Sequence, residues 1–121
     1  AEIVLFAGQL SDSDRNSYFK AAVVYATASL HEGFCIPVIE SMYYRLPVIA
    51  YSNGAIPETL RGCGLLIENG NIDKYIDNLH NLLTDDKLRA KLIAKIAKES
   101  TEYEPTRVYN LWLKCLNQIV K

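Results

Sequence analysis

The sequence predicts an α/β fold, a parallel sheet with helices covering its faces, and three observations predict it. Short apolar runs alternate with helix-patterned segments through residue 83. The runs are continuously apolar rather than alternating, as in strands buried on both faces. Turn chemistry follows two of them, at Gly8 and at Ser52-Asn53-Gly54-Ala55.

Taken in order, Ile3-Val4-Leu5-Phe6-Ala7 is too short for a helix and reads as the first strand, ended by Gly8. Ser11 or Ser13 can cap the next segment, with Asp12 and Asp14 favourable in the first turn of a helix running to about Ala21. Val23-Val24-Tyr25-Ala26-Thr27 is the second strand. Pro37 suits the first position of a helix, where no backbone donor is lost. Leu46-Pro47-Val48-Ile49-Ala50-Tyr51 is the third strand, with Pro47 tolerated near its start. A short helix is expected around Pro57-Glu58-Thr59-Leu60, then a fourth strand at Gly64-Leu65-Leu66-Ile67. Ile72, Tyr75, Ile76, Leu79, Leu82 and Leu83 fall on one helical face, continued by Leu88, Leu92 and Ile96 in a helix starting near Asp85. Pro105 opens a last helix striped by Val108, Leu111, Trp112, Cys115, Leu116 and Ile119. Such a layer is Rossmann-like, although sheets of that kind have about six strands and four are found. Either the fold is small or the chain has lost its beginning.

Composition narrows the classes. The 121 residues suit one domain spanning 1–121, half hydrophobic and 22% charged, as in globular proteins. A formal charge of −1 gives no footprint for nucleic acid. No apolar run approaches the roughly 18–20 residues of a membrane span, and the acidic opening Ala1-Glu2 is not a signal peptide. Cys35, Cys63 and Cys115 are widely spaced, which points to reduced thiols of a cytoplasmic protein. Neither His31 nor His80 stands at metal-ligand spacing from a cysteine, so no metal is expected.

In parallel sheets ligands bind beyond the carboxyl ends of the strands, here residues 8–11, 28–36 and 52–57. The middle segment carries chemistry: Ser29-Leu30-His31-Glu32-Gly33-Phe34-Cys35-Ile36-Pro37-Val38-Ile39-Glu40. A helix start offers unpaired amides and a positive dipole end, which suit a phosphate, and Gly33 lets a ligand approach the backbone. Glu32 and Glu40 would repel that phosphate unless they bind something neutral and rich in hydroxyls. Vicinal sugar hydroxyls meet that need through charge-assisted hydrogen bonds. The layout suits a nucleotide sugar, with one carboxylate per sugar ring.

Glu32 through Glu40 resembles the E-x7-E element of the retaining GT-B glycosyltransferases labelled glycosyl transferases group 1. The apolar run before Gly8, Ser29 ahead of His31-Glu32-Gly33-Phe34, Leu46-Pro47-Val48-Ile49-Ala50, Gly54-Ala55-Ile56-Pro57-Glu58 and Leu83-Thr84-Asp85-Asp86-Lys87-Leu88-Arg89 match in the same order. The resemblance implies the donor-binding, C-terminal half of a GT-B fold, truncated at its N-terminus. It implies that Glu32 orients the transferred sugar as the catalytic carboxylate and that Glu40 holds the ribose. Gly33 and the amides of Phe34, Cys35 and Ile36 would hold sugar and diphosphate, and Gln9 and Leu10 would lie near the base. The donor implied is UDP- or GDP-linked, without a cofactor or metal. The acceptor would be a glycan or lipid-linked glycan, as in polysaccharide biosynthesis. Retention implies attack on the face from which the diphosphate leaves, with its phosphate taking the acceptor's proton.

The resemblance also implies partners: an N-terminal acceptor domain that supplies the Arg and Lys gripping the diphosphate, and a location in the cytoplasm or at the inner face of the membrane, with peripheral membrane association through that half. Without that half, an uncovered apolar edge would favour self-association, and the chain alone would be inactive. Three positions depart from the family pattern. Cys35 replaces glycine or serine and would narrow the pocket or alter sugar choice; Ala55 replaces a glycine. Arg45 replaces a glycine at a helix end, where a left-handed conformation costs about 1 kcal/mol.

Blander readings stand beside these. Glu58 suits a helix dipole, His31 lacks an evident orienting partner, Cys35 lacks a base, and Tyr43-Tyr44 suits packing. The whole could also be a non-catalytic module that binds nucleotide sugar or a partner. A flavodoxin-like signalling domain would need carboxylates where the first strand ends, and Phe6-Ala7-Gly8-Gln9 has none.

Overall fold

The structure is a computed structural model and describes residues 4–119. Three parallel strands, β1 (Tyr25–Thr27), β2 (Val48–Tyr51) and β3 (Gly64–Ile67), form one sheet in the order β1-β2-β3. Tyr25 pairs with Val48, and Val48 with Gly64, so the strand ends align at one carboxyl edge. The helices are α1 (Asp12–Ala21), α2 (Ile36–Tyr43), α3 (Ile56–Leu60), α4 (Ile72–Thr84), α5 (Asp86–Glu99) and α6 (Pro105–Ile119). A 3-10 turn at Ser100–Tyr103 precedes α6.

Every residue of β2 is buried, as the unbroken apolar run required. Val48 and Ala50 face a core built with Val38 and Met42 of α2, Ile56 and Leu60 of α3, Cys63, and Ile96 of α5. Ile49 and Tyr51 face the opposite core with Ile67, Tyr75, Leu82 and Leu92. The Tyr75 hydroxyl lies 3.1 Å from the Thr27 carbonyl and 3.3 Å from that of Ile49, so its one proton can go to either. That bond ties α4 to β1 and β2.

Local signals set the helix boundaries. The Ser11 hydroxyl caps α1 through the Asp14 amide, Asn71 caps α4 through Lys74, and Asp85 caps α5 through Lys87 and Leu88. Beyond α2, Arg45 adopts φ 60°, the left-handed conformation expected there, and its amide bonds the Met42 carbonyl at 3.0 Å. α6 keeps the helix expected from its stripe but buries none of its residues, and Trp112 is 63% exposed. Among the described residues no helix is long and apolar enough to cross a membrane.

The expected first strand is corrected. Ile3 lies outside the described residues, and residues 4–8 carry no regular structure. Val4, Leu5 and Phe6 are exposed, Phe6 at 92%. A strand needs a ladder partner and cover on its apolar faces, and no described element supplies either to this run. The second strand is also shorter than its apolar run, with Val23 exposed and Val24 half-buried outside β1.

Ile96 is fully buried where α5 reaches the α2–α3 core, while Ile93, one turn earlier, is 37% exposed. Ile96→Ala should cost about 2–5 kcal/mol of stability, and Ile93→Ala under about 1.5 kcal/mol, read from urea midpoints at unchanged slope.

Candidate functional site

Residues 28–35 run without regular structure from the end of β1 to α2. Neighbouring loops hold this stretch. The Asn53 side-chain amide donates to the Leu30 carbonyl, and the Thr59 hydroxyl donates to the Phe34 carbonyl at 3.2 Å. Tyr103 supports Thr59 in turn, donating to its carbonyl at 2.8 Å, and its ring meets Phe34 edge-on with centroids 6.2 Å apart. The Ser29 hydroxyl donates to the His31 carbonyl at 3.3 Å. Gly54, at φ 51°, lies against Glu32: a Cβ there would stand 2.1 Å from the Glu32 carbonyl oxygen. The expected loops at 28–36 and 52–57 therefore do form one edge.

Cys35 turns the chain into α2 with φ 53° and ψ 69° and no side-chain cap. This left-handed conformation explains why glycine suits the position and costs cysteine about 1 kcal/mol. The thiol is buried, so it packs inward rather than narrowing an open pocket. Burial pushes it above the usual thiol range; the Val38 amide opposes this and the Glu32 carboxylate beside it adds to it. The helix start therefore does not pull this thiol down, because desolvation beside a negative charge outweighs it.

Glu32 is half-buried, and Gly33 beside it is exposed; a Cβ placed there would meet no described atom within 4 Å beyond its chain neighbours. Open space lies before this backbone. Glu40 sits one turn into α2, off the buried arc of Val38, Ser41 and Met42. Its side chain is 25% exposed; Oε1 lies 3.0 Å from the Arg15 guanidinium of α1. Its Oε2 is shielded from solvent and, among the described residues, has no hydrogen-bond partner.

Tyr25 senses the same groups: burial first, then Cys35, Glu32, Glu40 and Tyr75, push its hydroxyl up to about 12. Glu32, Gly33, Phe34, Cys35, Ile36 and Glu40 are thus brought together, with Phe34 and Ile36 exposed at the edge. Gln9 is exposed and Leu10 half-buried just before α1, without a described bond to this loop. His31 is exposed with no described partner for its ring, and Glu58 lies exposed in the first turn of α3, as the blander readings had it. Arg15, Tyr25, Asn53, Thr59 and Tyr103 were not singled out from sequence. Only Asn53 carried a signal, as turn chemistry.

The edge beyond the strand ends of this parallel α/β layer thus carries two carboxylates, Glu32 and Glu40, and a turn of open backbone at Gly33. The model described as Glycosyl transferases group 1 matches residues 1–99, and the chain belongs to that family. O-antigen chain mannosyltransferase B of Escherichia coli is 23% identical over 117 residues, 97% of this chain and 29% of that protein. Amylovoran biosynthesis glycosyltransferase AmsD of Erwinia amylovora is 26% identical over 118 residues, 97% of this chain and 32% of that protein. The solved structure of TarM superposes with a TM-score of 0.70 at 25% identity, over 81% of this chain and 20% of TarM. The chain spans less than a third of these curated relatives. Its kinship is with sugar-transferring enzymes.

Two predictions follow from the loop geometry. Gly54→Ala should drive the Glu32 carbonyl away and strain a left-handed turn, costing about 1–3 kcal/mol of stability, read from urea midpoints at unchanged slope. On alkylation near pH 8, Cys115, which is exposed, should react well before Cys35 and Cys63, whose thiols are buried and pushed up. Peptide mapping of partly alkylated protein reads the order.

Proposed function

We propose that this domain binds the donor in an enzyme that moves a hexosyl unit from a UDP- or GDP-linked sugar to a hydroxyl acceptor, with retention of anomeric configuration. The observation that carries the proposal is Glu40, whose Oε2 is dry and unpaired at the carboxyl edge of the sheet, in company with Glu32. A buried carboxylate oxygen without a partner is costly, and a ribose hydroxyl would relieve it. The open backbone at Gly33 supports close approach of a ligand. The mannosyltransferase name of the Escherichia coli relative supports a hexosyl donor.

In this reading Glu32 orients the transferred sugar, and Glu40 holds the ribose. The amides around Phe34, Cys35 and Ile36 take the sugar and diphosphate, with Gln9 and Leu10 toward the base. The leaving phosphate accepts the acceptor's proton, so no protein base and no metal ion is required. The acceptor, a glycan or lipid-linked glycan of polysaccharide biosynthesis, is held by a further domain that also supplies the cations for the diphosphate. The exposed stripe of α6, with Val108, Leu111 and Trp112, would lie against that domain. Such an enzyme would work in the cytoplasm, at the inner face of the membrane.

The two glutamates should separate experimentally. The ribose does not change during transfer, so its contact lowers ground and transition states alike. In the full-length protein, Glu40→Gln should weaken nucleoside diphosphate binding about ten- to a hundredfold, the equivalent of about 1.5–3 kcal/mol. Glu32→Gln should instead lower kcat and leave free nucleoside diphosphate binding nearly intact. Calorimetry with initial rates checks both; reversed effects would swap the roles, and no effect from either would sink the proposal.

A further inference from the structure

Arg15 belongs to no motif, yet among the described residues it is the cation that touches Glu40. Its guanidinium lies 3.0 Å from Glu40 Oε1 and 3.3 Å from Asp12 of its own helix. The contact is one of a pair. Four residues on from Arg15, Phe19 stacks on Tyr44, four residues on from Glu40, with centroids 5.4 Å apart and planes 5° from parallel. Phe19 also meets Tyr25, with centroids 6.0 Å apart. Residues four apart share a helix face, so one face of α1 lies along α2, an aromatic stack at one end and an ion pair at the other. α1 buries none of its own residues. Core packing therefore does not set its place; these contacts do.

We propose that Arg15 is a positioning residue for donor binding: through Oε1 it fixes the Glu40 carboxylate so that the carboxylate meets the ribose hydroxyls in one orientation. The inference rests on the donor reading above. The terminal torsion of a glutamate is broad, and Oε2, shielded from solvent, has no described hydrogen bond to set it, so Arg15 is the described polar contact that orients the carboxylate. A guanidinium on one oxygen removes most of the freedom and leaves the other as an acceptor. The effect reaches the nucleotide only through its vicinal hydroxyls, and the experiment uses this.

In the full-length protein, binding of uridine and guanosine diphosphate is measured by calorimetry. The one that binds is then compared with its 2′,3′-dideoxy analogue. Arg15→Ala and Arg15→Gln should each weaken the natural diphosphate about three- to tenfold, the upper reach of a partly exposed pair. The same variants should leave the dideoxy analogue unchanged. Two variants are used because α1 carries Arg15 half-exposed and tolerates at least one of them. Equal losses for both nucleotides would overturn the proposal, since direct contact with phosphate or base, or damage to the fold, acts on both. Unchanged or tighter binding in both Arg15 variants, with Glu40→Gln still weakening it, overturns the proposal and keeps the donor reading. If Glu40→Gln also changes nothing, the donor reading itself has failed.

Discussion

The structure depends on how residues 28–35 satisfy their carbonyl groups without a ladder or a helix. Backbone acceptors beside a packed sheet need partners, and here side chains from other crossovers supply them. Asn53 serves Leu30, and Thr59 serves Phe34. Each donor comes from the segment after β2, so the β1–α2 loop is fixed only once the second crossover has formed. Tyr103 extends the dependence by holding the Thr59 carbonyl from beyond α5. A loop that would otherwise be the most mobile part of the edge is thus braced from two later parts of the chain. The left-handed turn at Cys35, and with it the direction of α2, inherits that bracing.

The same bracing explains the electrostatics. Half-buried Tyr25 and buried Cys35 lie beside Glu32 and are pushed up. Both stay protonated at neutral pH, so neither offers a nucleophile or a base. What the edge presents instead is acceptor oxygens on Glu32 and Glu40 and open backbone at Gly33. On the proposed reading, such a surface would bind and orient a hydroxyl-rich ligand and leave proton transfer to the reactants, a chemistry of placement.

Elements defined by their own residues were legible in the sequence. Apolar periodicity gave α4, α5 and α6, the caps at Ser11 and Asp85 are local, and Gly64–Ile67 forms β3 as its apolar run suggested. Even the strained Arg45 could be read, because the resemblance puts it where the family has a glycine at a helix end. What escaped depends on partners. Residues 4–7 have strand composition, but composition does not provide a neighbour. Cys35 at φ 53° follows from a loop shape set by Asn53 and Thr59, far along the chain. Arg15 reads as an ordinary surface cation until the fold of α1 brings it to Glu40.

Spacing explains why the two glutamates were nonetheless readable together. Glu32 is placed by the loop and Glu40 by one turn of helix, and α2 rotates about 100° per residue. Adding or removing one residue between Ile36 and Glu40 would swing Glu40 away from Arg15. Tyr44, four residues further on, would leave Phe19 by the same angle. On the other side of the helix, Val38 and Met42 would leave the core. Three independent contacts thus demand one register, and the loop end is pinned by Cys35 and by Gly54 against Glu32. The interval between the two carboxylates is fixed by packing as firmly as by any ligand, which is how a three-dimensional arrangement leaves a one-dimensional trace.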